Sequence, residues 1–255
     1  MTKLLAGKKG LVVGISNLDS IAWGCAQTFY EHGAELAVTY LNEKSEPAVY
    51  ALAKKVKAPI FMKLDVTSKE EQELLFAEIT NKWGKLDFLL HSIAYAPKID
   101  LQGRVVDCSS EGFSKAMDIS CHSLMRLIKS AEPMMKEGGS IITISFYGAK
   151  KVLNNYNLMG PVKAALETSV EYLAAELGVN NIRVNALSTG PVKTKAASGL
   201  LDFDLLMDDA TQKSPLHQLI SLKQIGEMAS FLVSENASQV TGQVIYVDAG
   251  YNIKG

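Results

Sequence analysis

The chain has 255 residues, 47% of them hydrophobic, 21% charged and 7% aromatic, which excludes the disordered, collagen-like and low-complexity classes. Its 26 Lys and Arg are matched by 27 Asp and Glu, for a net charge of -1. That balance, without long like-charge blocks, excludes a basic nucleic-acid footprint or an anionic-membrane surface as the organising theme. A chain of this length buries roughly 70–75% of its unfolded surface, so a single domain over 1–255 is expected to stand without staples. The three cysteines, Cys25, Cys108 and Cys121, are odd in number and lack metal-ligand spacing. They suggest neither a disulfide framework nor a metal site, and they fit a reducing compartment. The first residues, MTKLLAGKKGLVVG, carry no long apolar stretch of the secretory or membrane-spanning kind, so a cytoplasmic location is expected.

In chain order, a strand is expected over 10–14 (GLVVG), a helix over 20–32, a strand over 35–40 (ELAVTY) and a helix over 44–57. A strand over 60–65 (IFMKLD), a helix over 68–82 and a strand over 86–91 (LDFLLH) follow. The second half gives a helix over 111–130, a strand over 140–145 (SIITIS), a helix over 157–177, a strand over 182–188 (IRVNALS), a helix over 222–233 and a strand over 243–248 (QVIYVD). Short Val/Ile/Leu-rich strands alternating with amphipathic stretches predict an α/β fold, a doubly wound parallel sheet of about seven strands with helices on both faces. The segment at about 190–220 fits neither period and is expected to be a lid or pocket wall.

The first strand-to-helix turn runs from Gly14 to Gly24 with Ser20 at the helix start. A tight glycine turn opening a helix N-terminus is what a pyrophosphate needs. The turn lacks the G-x-G-x-x-G pattern, and an ordinary turn capped by Asp19 or Ser20 reads the same way. The second strand ends Thr39-Tyr40-Leu41-Asn42-Glu43-Lys44, where an acidic residue would hold a ribose diol and an Arg a 2′-phosphate; neither sign is decisive, and the absence of Arg, with only Lys44 a few residues on, tilts the reading toward NAD(H). Asp65, followed by Val66, suits an adenine amino group or an Asx-type cap equally. After the fourth strand, HSIAYAP offers small residues at 92, 94 and 96, room for a flat ring. His91 reads as a packed, hydrogen-bonded histidine, and His32, His122 and His217 carry no role.

Tyr156 and Lys163 follow the fifth strand seven positions apart, about 20° short of two turns, so on a continuous helix they share a face. Pro161 sets the helix start near 157–160, with Tyr156 at its mouth. A phenol beside an ammonium, its pKa pulled down by that charge, can donate to an oxyanion. A surface tyrosine and a solvated lysine are the plain alternative.

The Tyr-x6-Lys pair, the turn G-x5-S-I-A-x-G, HSIAYAP, NYNLMGPVKAALE, IRVNALSTGP and the terminal TGQVIYVDAGY together resemble the enoyl-acyl-carrier-protein reductases of bacterial fatty-acid synthesis. These form a divergent branch of the short-chain dehydrogenase/reductases, whose ordinary members carry Tyr-x3-Lys; here position 159 is Met. The resemblance covers essentially the whole chain. It implies a Rossmann-type domain, a homotetramer, NADH as reductant and an enoyl thioester on acyl carrier protein as substrate, with no metal, nucleic acid or membrane partner.

Carried onto matching positions, the resemblance puts Gly14, Ser20 and Ile21 at the pyrophosphate, Leu41 at the adenosine ribose, Asp65 and Val66 at the adenine and Ile93 on the nicotinamide side. Lys163 would hold the nicotinamide ribose, and Val192, Lys193, Thr194, Lys195 and Ala196 would border the carboxamide and pyrophosphate. Tyr156 would donate to the thioester carbonyl, with Ala96 and Phe146 beside the substrate. Ala196, Ala197, Leu200, Leu201, Phe203, Leu205 and Met207 would cover the acyl chain, unless the segment is an ordinary amphipathic packing helix. Many members of the family place a Tyr where this chain has Phe146, which bears on acyl length rather than on activity. Two other functions stay open: a carbonyl reductase of the wider superfamily, and a nucleotide-binding regulator without turnover.

Overall fold

A computed structural model describes residues 3–195 and 197–254. Seven strands, β1 (Lys9–Val13), β2 (Glu35–Tyr40), β3 (Ile60–Lys63), β4 (Phe88–His91), β5 (Gly139–Phe146), β6 (Ile182–Thr189) and β7 (Val244–Val247), form one sheet in the order β3-β2-β1-β4-β5-β6-β7. Every neighbouring pair is parallel. The helices are α1 (Ile21–Glu31), α2 (Glu46–Lys55), α3 (Lys69–Trp83), α4 (Lys98–Leu101), α5 (Ser110–Met117), α6 (Ser123–Ala131), α7 (Met159–Leu177), α8 (Phe203–Lys213) and α9 (Leu222–Val233).

Successive strand residues point to opposite faces, and two separate cores follow from that alternation. Leu11 and Val13 of β1 join Leu75, Leu124, Leu127, Leu166 and Val170 of α3, α6 and α7 on one face. Val12, between them, joins Phe29, Val49, Leu52 and Leu232 of α1, α2 and α9 on the other. Both faces are covered, which is why the strands are almost uniformly apolar. Phe29 and Phe88 meet edge to face at 4.9 Å, an arrangement that adds about 1 kcal/mol to their burial.

The expected strands and helices are present with shifted ends, and two regions differ. The helix expected over 111–130 is broken: residues Asp118–His122 form one π-helical turn between α5 and α6. Side chains inside and just after that turn explain it. The Ser120 hydroxyl accepts from the Tyr95 N–H at 2.8 Å and donates to the Tyr95 carbonyl at 2.9 Å. Ser123 Oγ donates to the Ile119 carbonyl at 2.6 Å, so the extra residue in the turn holds the loop after β4 in place. The segment expected to be irregular, 190–220, contains α8.

Order along the sheet reverses between β1 and β4, and at such a switch point the loops leaving the carboxyl ends of the strands part to leave a crevice. Gly14 leaves β1 with φ +113°, and a Cβ placed on it would lie 2.1 Å from the Ser92 carbonyl oxygen beyond β4. Only glycine meets both demands, the backbone angle and the close approach.

Candidate active site

Two connected hollows open at this end of the sheet. The first, of about 550 Å3, is a groove along the switch point, bordered by Gly14, Ser20, Ile21, Leu41, Asp65, Val66, Ile93, Lys163, Thr194 and Lys195. Ten of the positions carried over from the resemblance therefore share one surface. The second, of about 330 Å3, is bordered by Ala96, Phe146, Tyr156, Lys163 and Val192, and by Ala197, Leu200 and Phe203 of the 190–220 segment. Lys163, Ile21, Ala94, Tyr95, Ile144 and Thr194 border both.

Some expected positions fall outside. Lys193 borders neither hollow; its side chain is exposed and paired with Asp204 at 3.2 Å. Leu201, Leu205 and Met207 border neither as well; Leu201, in the turn before α8, and Leu205, on α8, are exposed. Ala196 lies outside the described residues.

The groove suits a dinucleotide on its own chemistry. Ser20 sits at the N-cap of α1 without capping it; its hydroxyl donates instead to the Asn17 carbonyl at 2.8 Å. The first turn of α1 has no acidic side chain, so its amide dipoles face the groove uncompensated, as an anion requires. Asp65 Oδ1 accepts from the Thr67 N–H at 2.9 Å and hydroxyl at 2.7 Å. Ser68, not Asp65, caps α3 by accepting from the Glu71 N–H, and Asp65 keeps its place in the groove wall. Leu41 is exposed there, and no arginine borders the groove among the described residues.

Tyr156 precedes α7 rather than riding on it, so the shared helical face expected for the pair does not exist. Its neighbours Asn155 and Asn157 have φ of 61° and 43°, and this bend, not helix periodicity, brings Tyr156 to the cavity that Lys163 also borders. Tyr156 is buried, its ring 5.0 Å from that of Phe146, and none of the described residues hydrogen-bonds its hydroxyl. The expected lowering of its pKa is also reversed. Burial, and then the Glu167 carboxylate, push the phenol well above its ordinary value, so Tyr156 is a firmly protonated donor. Lys163 takes the shift instead. Only 4% exposed, its ammonium donates to the Ile144 carbonyl at 2.6 Å, and burial brings its pKa down to about 8.

His91 is a packed group, as its sequence context suggests. Ser123 Oγ already donates to Ile119, so it accepts from His91 Nε2 at 2.8 Å, and Thr143 Oγ1 sits at 2.8 Å from Nδ1. Burial, with Lys163 nearby, lowers the His91 pKa to about 3, so the ring stays neutral. Tyr147 turns away from Phe146 onto Tyr246 and Tyr251.

Sequence reasoning missed Glu167. Fully buried, it accepts from Ser145 Oγ at 2.7 Å and pairs with Lys150 at 3.4 Å, one turn beyond Lys163. The i,i+4 spacing from Lys163 was the available signal. Tyr95, Lys98, Leu101, Met159 and the 189–191 rim of the cavity carried no signal in type or spacing.

The family model described as "Enoyl-(Acyl carrier protein) reductase" matches residues 14–252. The enoyl-(acyl-carrier-protein) reductase (NADH) FabI of Rickettsia typhi is 49% identical over 254 residues, spanning 100% of this chain and 97% of the relative. The crystal structure of the Aquifex aeolicus enoyl-(acyl-carrier-protein) reductase (NADH) superposes with a TM-score of 0.95 at 45% identity, covering 99% of each chain. That of the Anaplasma phagocytophilum reductase in complex with NAD superposes with a TM-score of 0.96 at 42% identity, covering 100% of this chain and 97% of that one.

Proposed function

The chain belongs to the enoyl-(acyl carrier protein) reductase family, and we propose from that membership a division of labour among its own residues. It is an NADH-dependent oxidoreductase that reduces the trans-2 double bond of enoyl groups carried as thioesters on acyl carrier protein. The observation that supports this most directly is the meeting of Tyr156 and Lys163 in the wall of an apolar cavity that opens into a dinucleotide-sized groove.

The groove residues would hold NADH, which when bound would supply the hydride that reduces the β-carbon of the enoyl group. Charge then arrives on the thioester carbonyl oxygen, and Tyr156 is the donor that meets it. A preorganised donor is worth most where charge develops in a water-poor site. Because none of the described residues hydrogen-bonds its hydroxyl, that donor is free for the substrate. Lys163 holds the ribose hydroxyls with the N–H groups not committed to Ile144, and its charge favours the same oxygen. Gly14, Ser20, Ile21, Thr194 and Lys195 take the pyrophosphate and carboxamide side, Leu41 the adenosine ribose, Asp65 and Val66 the adenine, and Ile93 the nicotinamide side. Ala96, Phe146, Ala197, Leu200 and Phe203 take the acyl chain.

The chain acts as one dinucleotide-binding domain with the 190–220 segment as its substrate lid. It works as a homotetramer in the cytoplasm: Tyr172 on α7 is exposed beside Met125 and Leu173, with Thr168, Ser169 and Glu176 around them, a mixed face open to a second copy, and light scattering at four times the chain mass is the check. No helix among the described residues is long and apolar enough to cross a membrane.

Oxidation of NADH by a trans-2-butenoyl thioester, run beside NADPH, tests the reading. Turnover with NADH well above NADPH is expected from exposed Leu41 and the absence of arginine among the described residues of the groove. Binding of NADH with no turnover on enoyl thioesters of any length would leave the regulator as the better account.

Gly148 makes the placement of Tyr156 separately testable. A Cβ on Gly148 would lie 2.2 Å from Tyr156 Cδ1 and 2.6 Å from Cε1, so Gly148→Ala must push the ring aside. The expected result is a loss in kcat on the order of a hundredfold, the cost of misplacing a reacting group by about 1 Å, with NADH affinity measured by fluorescence unchanged.

A further inference from the structure

Asn155 and Asn157 stand on either side of Tyr156, both in the left-handed region at φ 61° and 43°, where asparagine is one of the few residues with a side chain that settles. Their amides reach in different directions. Asn157 Nδ2 donates to the Leu101 carbonyl at 2.9 Å. Asn155 Nδ2 donates to the Leu201 carbonyl and to Asp202 Oδ2, each at 3.2 Å. Leu101 lies in one wall of the acyl cavity, and Leu200 and Phe203, which flank the acceptors of Asn155, lie in the other. A third amide joins the two walls directly, Gln102 Nε2 donating to the Gly199 carbonyl at 2.9 Å. Tyr156 is thereby strung between two walls that consist of short or irregular backbone, α4 on one side and the residues leading into α8 on the other.

We propose that Asn155 and Asn157 are positioning residues that tie Tyr156 to both walls of the acyl cavity, so that the length of the bound acyl chain determines how well the Tyr156 hydroxyl is placed. The proposal rests on the reading of Tyr156 as the carbonyl donor. With the carbonyl at Tyr156, a butenoyl group occupies only the near end of the cavity. A dodecenoyl group must run between Leu101 and Leu200 and bear on both walls, and the two amides carry that contact back to Tyr156.

The substitutions separate the amide from the backbone. Glycine keeps the positive φ and deletes the donor, alanine deletes the donor and opposes the φ, and aspartate keeps the local backbone while presenting an acceptor to a carbonyl. Asn155→Gly and Asn157→Gly are expected to lower kcat for a dodecenoyl thioester by about three- to tenfold more than kcat for a butenoyl thioester, the worth of the hydrogen bonds removed. Asn157→Asp reproduces the chain-length effect and serves if a glycine variant does not fold. Asn157→Ala additionally lowers kcat on both substrates. A merely structural role predicts that both substrates lose kcat by the same factor, and that result in the glycine or aspartate variants would overturn the proposal. Tyr156→Phe is assayed alongside: wild-type turnover in that variant would overturn the donor reading itself and the proposal with it.

Discussion

Tyr156→Phe is expected to lower kcat on enoyl thioesters by on the order of a hundred- to a thousandfold, the range found when a donor to a developing oxyanion is removed. NADH affinity and thermal stability should stay at their wild-type values. Three observations set that combination. The hydroxyl has no hydrogen-bond partner among the described residues, so its removal orphans no protein group and carries no folding penalty. The ring, which packs on Phe146 at 5.0 Å, is retained in phenylalanine. Burial and the Glu167 carboxylate hold the phenol pKa well above its ordinary value, so wild type presents a protonated donor across the neutral and mildly alkaline range and the variant presents none. Steady-state assay with parallel NADH titration measures both halves. Retained turnover would assign the carbonyl to another donor; lost NADH affinity would make Tyr156 a cofactor residue instead.

Lys163→Met is expected to abolish turnover and to weaken NADH binding while leaving the melting temperature at neutral pH equal to or above that of wild type. A buried ammonium with its pKa brought from 10.5 down to about 8 weakens the fold. Between those two values the unfolded chain holds a proton that the folded chain has released, so this group makes stability rise with pH through that window. Below it the full penalty stands, on the order of 3 kcal/mol. Methionine removes the penalty and fills the same space, against the loss of one hydrogen bond to Ile144 worth about 1 kcal/mol. A functional role explains why the lysine is there: the same ammonium that costs stability faces both hollows. The account also predicts that kcat/KM of wild type declines above about pH 8, as the charge on Lys163 is lost. A large drop in melting temperature in Lys163→Met, with normal activity per folded molecule, would reduce Lys163 to a structural residue.

A doubly wound parallel sheet covered on both faces was legible because it rests on near-continuously apolar strands separated by amphipathic helices, which a sequence displays directly; the order of the strands came only with the structure. β2 and α9 begin and end where periodicity puts them. The break in the helix after residue 117 was not legible. Residues 111–130 keep a helical rhythm, and the π turn exists for two serines that bond to Tyr95 and His91, partners far away in sequence. The groove residues came from a resemblance that located loops, and loop positions follow strand ends closely. Side-chain direction inside an irregular segment does not follow, which is why Lys193, Leu201, Leu205 and Met207 point elsewhere. The electrostatics of the Tyr156 and Lys163 pair were misjudged for a definable reason. A neighbouring cation lowers a phenol pKa only where burial does not outweigh it, and burial depth is absent from the sequence. Asn155 and Asn157 were in plain view within NYNLMG, but only the backbone angles showed that they bend the chain around Tyr156.

The most direct test of hydride delivery to the β-carbon of an enoyl thioester is to run the reaction with NADH deuterated at the transferring position and to locate the label in the product by NMR. Deuterium on the β-carbon in wild type, with transfer slowed in Tyr156→Phe, is the predicted result. Deuterium on the carbonyl carbon would make the protein a carbonyl reductase, and no transfer despite saturated NADH binding would contradict enzymatic reduction at this site altogether.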